Sequence, residues 1–413
     1  MNKNNGLSKK ELGFWINNIK GLGYKRIKNL LEYFGSYENV YNAKDEELLK
    51  VKLISEKNIL EINNSKKPLE IKQKIKIMET KGYKFVLRDD KNYPNKLTNI
   101  YDPPHILYYR GRLPDENVPS IAIIGARECT KYGMYYAYKL STELASYGFQ
   151  IISGLARGID VVAHKGALEC NGTTFGILGC GVDICYPNEN IDTFIKTIEC
   201  GGVISEYPPG MSPKAGNFPM RNRIISALCD GVLVIEARKK SGTLITVDLA
   251  LEHGKEIYAL PGGINSSLSE GCNNLIKYGA KIVTTVNDIL EDYEDYLYRR
   301  NSIKNQDKLN IKLDKILEEN RSDSEKKIEE YVGENENCEK ENFEKYLKKN
   351  KIFLERQEKI VYASLRLESK HIDEIVCETG FSIGEVIKIL FNLEEKNLII
   401  QSRSNYYEGL NLG

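Results

Sequence analysis

Two arginines in this chain each follow a glycine turn at the end of a short apolar run. Residues 121–124 lead into Gly125-Ala126-Arg127, and residues 149–152 lead into Ser153-Gly154-Leu155-Ala156-Arg157-Gly158. A guanidinium is a permanently charged, planar fork whose donors match phosphate oxygens. Glycine lets the backbone come close to such a ligand. Helical patterns follow both turns, so free N–H groups and the positive end of a helix dipole point at the same place. The chemistry implied is phosphate binding at the crest of an α/β sheet. A third cluster, Phe218-Pro219-Met220-Arg221-Asn222-Arg223, sets an aromatic ring three residues ahead of two guanidinium groups. Charge neutralisation beside a π-face suits a single nucleic-acid strand. A structural ion pair, Arg223 with Glu236 or Asp230, would use the same letters.

Other chemistries fit less well. No Gly-x4-Gly-Lys-Ser/Thr occurs, so there is no P-loop, and the turn at Gly125 does not complete a dinucleotide fingerprint. Of the four histidines, only His164 lies near the crest, and no Ser, Cys or acid is spaced to pair with it. Asp160 reads as an acid at a helix N-terminus. Pro261-Gly262-Gly263 is similar to a loop of lysine-decarboxylase-like phosphoribohydrolases, but it continues Ile264-Asn265-Ser266-Ser267 instead of Gly-Thr and a catalytic glutamate. Nine cysteines, an odd number without Cys-x-x-Cys spacing, suit neither a disulfide framework nor a zinc site. No catalytic residue, metal or cofactor is expected. The net charge is +1, so any basic surface must arise from local sorting of charge. No apolar run approaches the roughly 18 residues of a membrane span, and the first residues lack a secretory apolar region. The expectation is a cytoplasmic protein without membrane insertion.

The positioning elements follow from the pattern. Strands are expected at 121–125, 149–153, 174–178, 202–205, 232–236, 256–260 and 281–284, with helices between them. That alternation predicts a doubly wound, mostly parallel Rossmann-like sheet. Shorter strands are expected at 83–87 and 106–109. Four segments result. Residues 1–80 form a helical domain of helix-hairpin-helix or SAM-like type, with Gly21-Leu22-Gly23 between two helices and Lys25, Arg26 and Lys28 beside it. A degenerate second copy falls at 51–55. Residues 81–290 are the Rossmann-like domain and its entry connector, and 291–350 are a charged linker. Residues 351–413 run helix (355–367), helix-turn-helix, hairpin, the order of a winged helix. Its second helix, 382–396, sets Glu385, Glu394 and Glu395 against Lys388 and Lys396, a poor charge pattern for a DNA groove.

Several motifs, in order, resemble one family. They are Ile-Ile-Gly-Ala-Arg (123–127), Ser-Gly-Leu-Ala-Arg-Gly-Ile-Asp (153–160) with Ala163-His164, Gly181 with Tyr186-Pro187, Ser205-Glu206-Tyr207-Pro208, Phe218 to Arg223, Glu236-Ala237 with Ser241-Gly242-Thr243, and Pro261-Gly262. Together they are similar to the DNA-processing protein A (DprA/Smf) family over about residues 93–285. The resemblance implies a binder of single-stranded DNA and not an enzyme. It implies protection of incoming DNA in natural transformation, loading of RecA recombinase, and a homodimer built through the α/β domain. It makes Arg127 a phosphate ligand and assigns Lys214 and Phe218 to the single-strand pocket. Arg221 and Arg223 match its Arg-Asn-Arg signature. With the turn residues Gly125, Ser153, Gly154, Arg157 and Gly158, these form the expected DNA-binding set. The competing reading is a nucleotide-binding enzyme or sensor related to the phosphoribohydrolases.

Overall fold

A computed structural model describes residues 6–300 and, between 357 and 409, all but 359, 360, 363, 364, 366–369, 380, 397, 404 and 405. The expected linker beyond 300 and most of the expected helix at 355–367 lie outside these residues. The chain divides into two compact units, with the boundary after Leu297.

The first unit opens with six helices: α1 (Lys9–Asn17), α2 (Tyr24–Phe34), α3 (Tyr37–Asn42), α4 (Asp45–Leu48), α5 (Glu56–Ser65) and α6 (Pro68–Thr80). Local chemistry sets their ends. Ser8 and Glu11 form a capping box on α1, and Pro68, with its fixed φ, starts α6. Arg26 ties the two turns of this region together, donating to the carbonyls of Leu53 (3.0 Å) and Gly21 (3.3 Å).

A nine-stranded sheet follows: β1 (Lys84–Leu87), β2 (Ile106–Gly111), β3 (Ser120–Ile124), β4 (Gln150–Ser153), β5 (Thr174–Leu178), β6 (Gly202–Ser205), β7 (Gly231–Val234), β8 (Glu256–Ala259) and β9 (Lys281–Ile282). Its order is β1-β2-β6-β5-β4-β3-β7-β8-β9. From β6 to β9 all pairings are parallel, while β1 and β2 add antiparallel. Strands β3, β4 and β5 are wholly buried, as their unbroken apolar runs require. Between them lie α7 (Asn95–Thr98), α8 (Lys131–Ser146), α9 (Ile159–Glu169), α10 (Ile191–Cys200), α11 (Asn217–Leu228), α12 (Gly242–Glu252) and α13 (Glu270–Lys277), and α14 (Asn287–Leu290) follows β9. Side chains of α8, α9 and α14 share one core, and those of α11 and α12 share another.

Residues 80 and 290 are not core boundaries. Trp15, Leu30 and Ile62 of the helices belong to the same core as Tyr108, Leu178 and Val203 of the sheet. Past 290, Tyr293 and Tyr296 pack edge-on against Phe149, with centroids 5.1 and 5.7 Å away. The aromatic content of 291–297 therefore keeps this stretch with the sheet.

The second unit contains β10 (Lys370–His371), α15 (Ile372–Thr379), α16 (Ile383–Glu395) and the hairpin β11 (Ile399–Arg403) and β12 (Tyr406–Gly409). Its sheet order is β10-β12-β11. Ser382 and Glu385 cap α16, and Ile375, Val386, Leu390 and Leu398 lie in its core. Among the described residues, no helix is long and apolar enough to cross a membrane.

Two histidines are buried in the first unit. His164 on α9 meets Thr174 Oγ1 through Nδ1 at 2.7 Å, and His105 stacks on Tyr24 at 4.8 Å. Burial pushes their pKa values down to about 3 and about 4 from an ordinary 6.5. Each is neutral in the fold, so acid favours the unfolded chain, where it can charge. The stability they contribute is complete above the unfolded value and is lost as pH falls through the window below it. Thermal melts should therefore show stability falling from about pH 6.5 down to about pH 4, by at most about 1.4 kcal/mol per pH unit for each histidine. His164→Asn should flatten that slope. An acid slope unchanged in the folded variant would contradict the assignment.

Candidate nucleic-acid interface

The winding of the sheet creates the site. From β3 the chain lays β4, β5 and β6 successively to one side, then returns to place β7 on the other. The turns after β3 and β7 leave toward opposite faces, and a crevice opens between the carboxyl ends of the two strands. A cavity of about 540 Å³ lies there, lined by Gly125 and Arg127 from the first turn, Phe218 from α11, and Ser241-Gly242-Thr243 at the start of α12.

Buried polar bonds fix the turns. Glu236, just past β7, accepts from the Thr130 N–H (2.9 Å) and Oγ1–H (2.6 Å), while Thr130 also caps α8. The Ser153 hydroxyl donates to the Ile123 carbonyl at 2.6 Å, joining β4 to β3. Gly158 opens α9 with φ of +75°, and a Cβ there would strike the carbonyls of Ala126 and Arg127. Only glycine fits both the backbone angle and that approach.

Of the Arg-Asn-Arg signature, Arg221 and Asn222 line the floor of this cavity, while Arg223 faces away from it. Arg221 is 4% exposed, donates to the Gly154 carbonyl at 2.9 Å, and also bonds to the Ile177 carbonyl. Asp160 lies in the same pocket and accepts from the Gly154 N–H at 3.1 Å. Burial lowers the Arg221 pKa while Asp160 opposes that shift; burial raises the Asp160 pKa while Arg221 opposes it. Arg223, also 4% exposed, pairs with Asp102 (3.0 Å) and Glu206 (2.7 Å). Neither Glu236 nor Asp230 is its partner. The ion-pair alternative is the one observed, with partners from other segments.

The other expected residues divide. Arg127 is exposed, its guanidinium 5.6 Å from the centre of the Phe218 ring, and no carboxylate pairs with it among the described residues. Gly125 lines the cavity beside it. Arg157 lies at the surface in a two-pronged pair with Glu189, at 2.7 and 3.0 Å. Ser153 and Gly154 are buried, Gly154 so close to Arg221 and Asp160 that a Cβ would fall within 2.6 Å of both. Lys214 is exposed but lines a neighbouring cavity. Sequence reasoning missed Tyr186 as a site residue. Its half-exposed ring lies 5.6 Å from that of Phe218 and lines the crest cavity. The only sequence signal was an aromatic before a proline. It also left out the start of α12, although Ser241-Gly242-Thr243 carries an N-cap signature.

The model of the DNA recombination-mediator protein A family matches residues 84–294. The Smf protein of Synechocystis is 31% identical over 97% of this chain and its own full length. The chain belongs to the DNA recombination-mediator protein A family. The DNA processing protein DprA of Streptococcus pneumoniae is 43% identical over 50% of this chain and 72% of its own. The crystal structure of DNA processing protein A from that organism aligns with a TM-score of 0.58 and 32% identity, covering 68% of this chain and 97% of that one. The names of the family and of this relative describe recombination mediation and DNA processing. The acids of and around this crest are each engaged within the protein: Asp160 by the Gly154 N–H, Glu206 by Arg223 and Glu236 by Thr130.

Removing Arg221 would leave the buried Asp160 carboxylate without the guanidinium that offsets the cost of its burial. Arg221→Ala should cost about 3–5 kcal/mol of stability, read from denaturant unfolding. Arg221→Lys should not rescue it, because one ammonium cannot reproduce the fork. A loss below about 1 kcal/mol would contradict the role assigned to this pair.

Proposed function

We propose that the crest cavity binds single-stranded DNA, with Arg127 on a phosphate and Phe218 and Tyr186 as stacking surfaces for bases. The observation that carries this reading is the exposed stack of Arg127 over Phe218 and Phe218 beside Tyr186. A free cation next to two ring faces serves a backbone charge and a base together. A duplex hides the faces of its bases, so such a site favours an unpaired strand. The start of α12 lines the same crevice and turns the positive end of its helix dipole toward it. Arg221, Arg223, Ser153 and Gly154 act as positioning residues in this reading, and Gly125 allows close approach.

Family membership supports a wider reading. The chain protects incoming single strands and loads RecA on them during transformation or homologous recombination, as a cytoplasmic homodimer formed through the α/β unit. The second unit, with two helices and a hairpin, is read as a winged helix. Exposed Ile383, Ile387 and Phe391, one helical turn apart, together with the acids of α16, favour a protein partner over DNA for it.

Anisotropy with a labelled single-stranded oligonucleotide tests the site. Arg127→Ala should weaken binding and reduce the slope of log affinity against log salt by about 0.7, the value of one phosphate contact on a single strand. Phe218→Ala should weaken it about tenfold, with little change in that slope. Wild-type affinity in both folded variants would refute the site.

A further inference from the structure

The segment from Met211 to Arg223 is a wall with two sides. Pro213 and Phe218 line the crest cavity, while Lys214, Met220 and Arg223 line a second cavity of about 590 Å³. Its other side is the turn between α1 and α2, the Gly21-Leu22-Gly23 hairpin. That turn has donors to offer. Gly23 caps α2 with no side chain, and the backbone N–H groups of Gly23, Tyr24 and Lys25 find no acceptor among the described residues.

Two buried side chains that line the cavity are also short of partners. Arg223 commits Nε and Nη2 to Asp102 and Glu206 but leaves Nη1 unpaired. His105, 6% exposed, leaves Nε2 unpaired. Exposed Lys20 and Lys214 complete the lining charge. Arg223 is offset by Asp102 and Glu206, so among the described residues the lining's unpaired charges are Lys20 and Lys214, and its one carboxylate, Glu206, is already held.

We propose that this cavity is a second anion site, holding a phosphodiester of the strand whose neighbouring nucleotides occupy the crest. The inference rests on the single-strand reading. The hairpin N–H groups and Lys20 and Lys214 make the contacts, and the shared wall carries the strand from one cavity to the other. A connected pair of sites has a length requirement that an isolated phosphate site lacks.

The test uses the full chain with labelled single strands of about 6 and about 20 nucleotides, a range that brackets ordinary single-strand site sizes. Lys20→Glu should weaken the longer strand about fivefold or more and lower its salt slope by about 0.7, leaving the shorter strand unchanged. Lys20→Ala should show the same pattern, smaller, and Arg127→Ala should weaken both strands. If Lys20→Glu leaves the longer strand untouched while Arg127→Ala weakens both, this inference fails and the crest reading stands. If wild-type protein binds neither strand, the crest reading itself fails. Loss of inorganic phosphate binding in Lys20→Glu, with unchanged binding of the longer strand, would overturn the assignment to a strand in favour of a free anion.

Discussion

The Arg221 guanidinium, enclosed under the crest, holds the Gly154 and Ile177 carbonyls and lies beside Asp160. These groups come from the turn after β4, the end of β5 and the start of α9, while the arginine comes from α11. A buried guanidinium is costly without partners, so the four segments must arrive together. Once they do, Gly158 is held against the Arg127 backbone, and Phe218, one turn before Arg221 on α11, reaches the cavity. The stack at the cavity is thus placed by a largely buried charge on the cavity floor.

Arg223 does similar work one helical step away. Its bonds to Asp102 and Glu206 link α11 to the connector before β2 and to the turn after β6. The signature is therefore two anchors on neighbouring faces of one helix, and the wall they fix separates the crest from the hairpin cavity. Net charge close to neutral is consistent with this economy. Basic groups that matter to a ligand are few, and several others, Arg26, Arg157, Arg221 and Arg223, are spent within the protein.

The sheet was legible in the sequence because buried parallel strands are continuous apolar runs, and most of them, β3, β4, β5, β6 and β8, end at a glycine, serine or proline. Arg127 and Phe218 were legible as types suited to phosphate and base. The fate of Arg221 and Arg223 was not. Their partners lie 67, 44, 121 and 17 residues away, and ion pairs between distant segments leave no local spacing to read. The core shared by the first helices and the sheet was not legible for a related reason, since a helical pattern does not say which core its apolar face joins. Lys214 shares a segment with Phe218, but which side of a wall a residue faces depends on the turn geometry around Pro213 and Gly216.

The most direct test of the central claim is competition. A labelled single strand bound to the wild-type chain is challenged with unlabelled single strand, duplex and mononucleotide at two salt concentrations. The account predicts displacement by single strand, weak displacement by duplex, none by mononucleotide at equal concentration, and affinity that falls steeply with salt. Displacement by the mononucleotide at that concentration, or duplex competing as well as single strand, would contradict it.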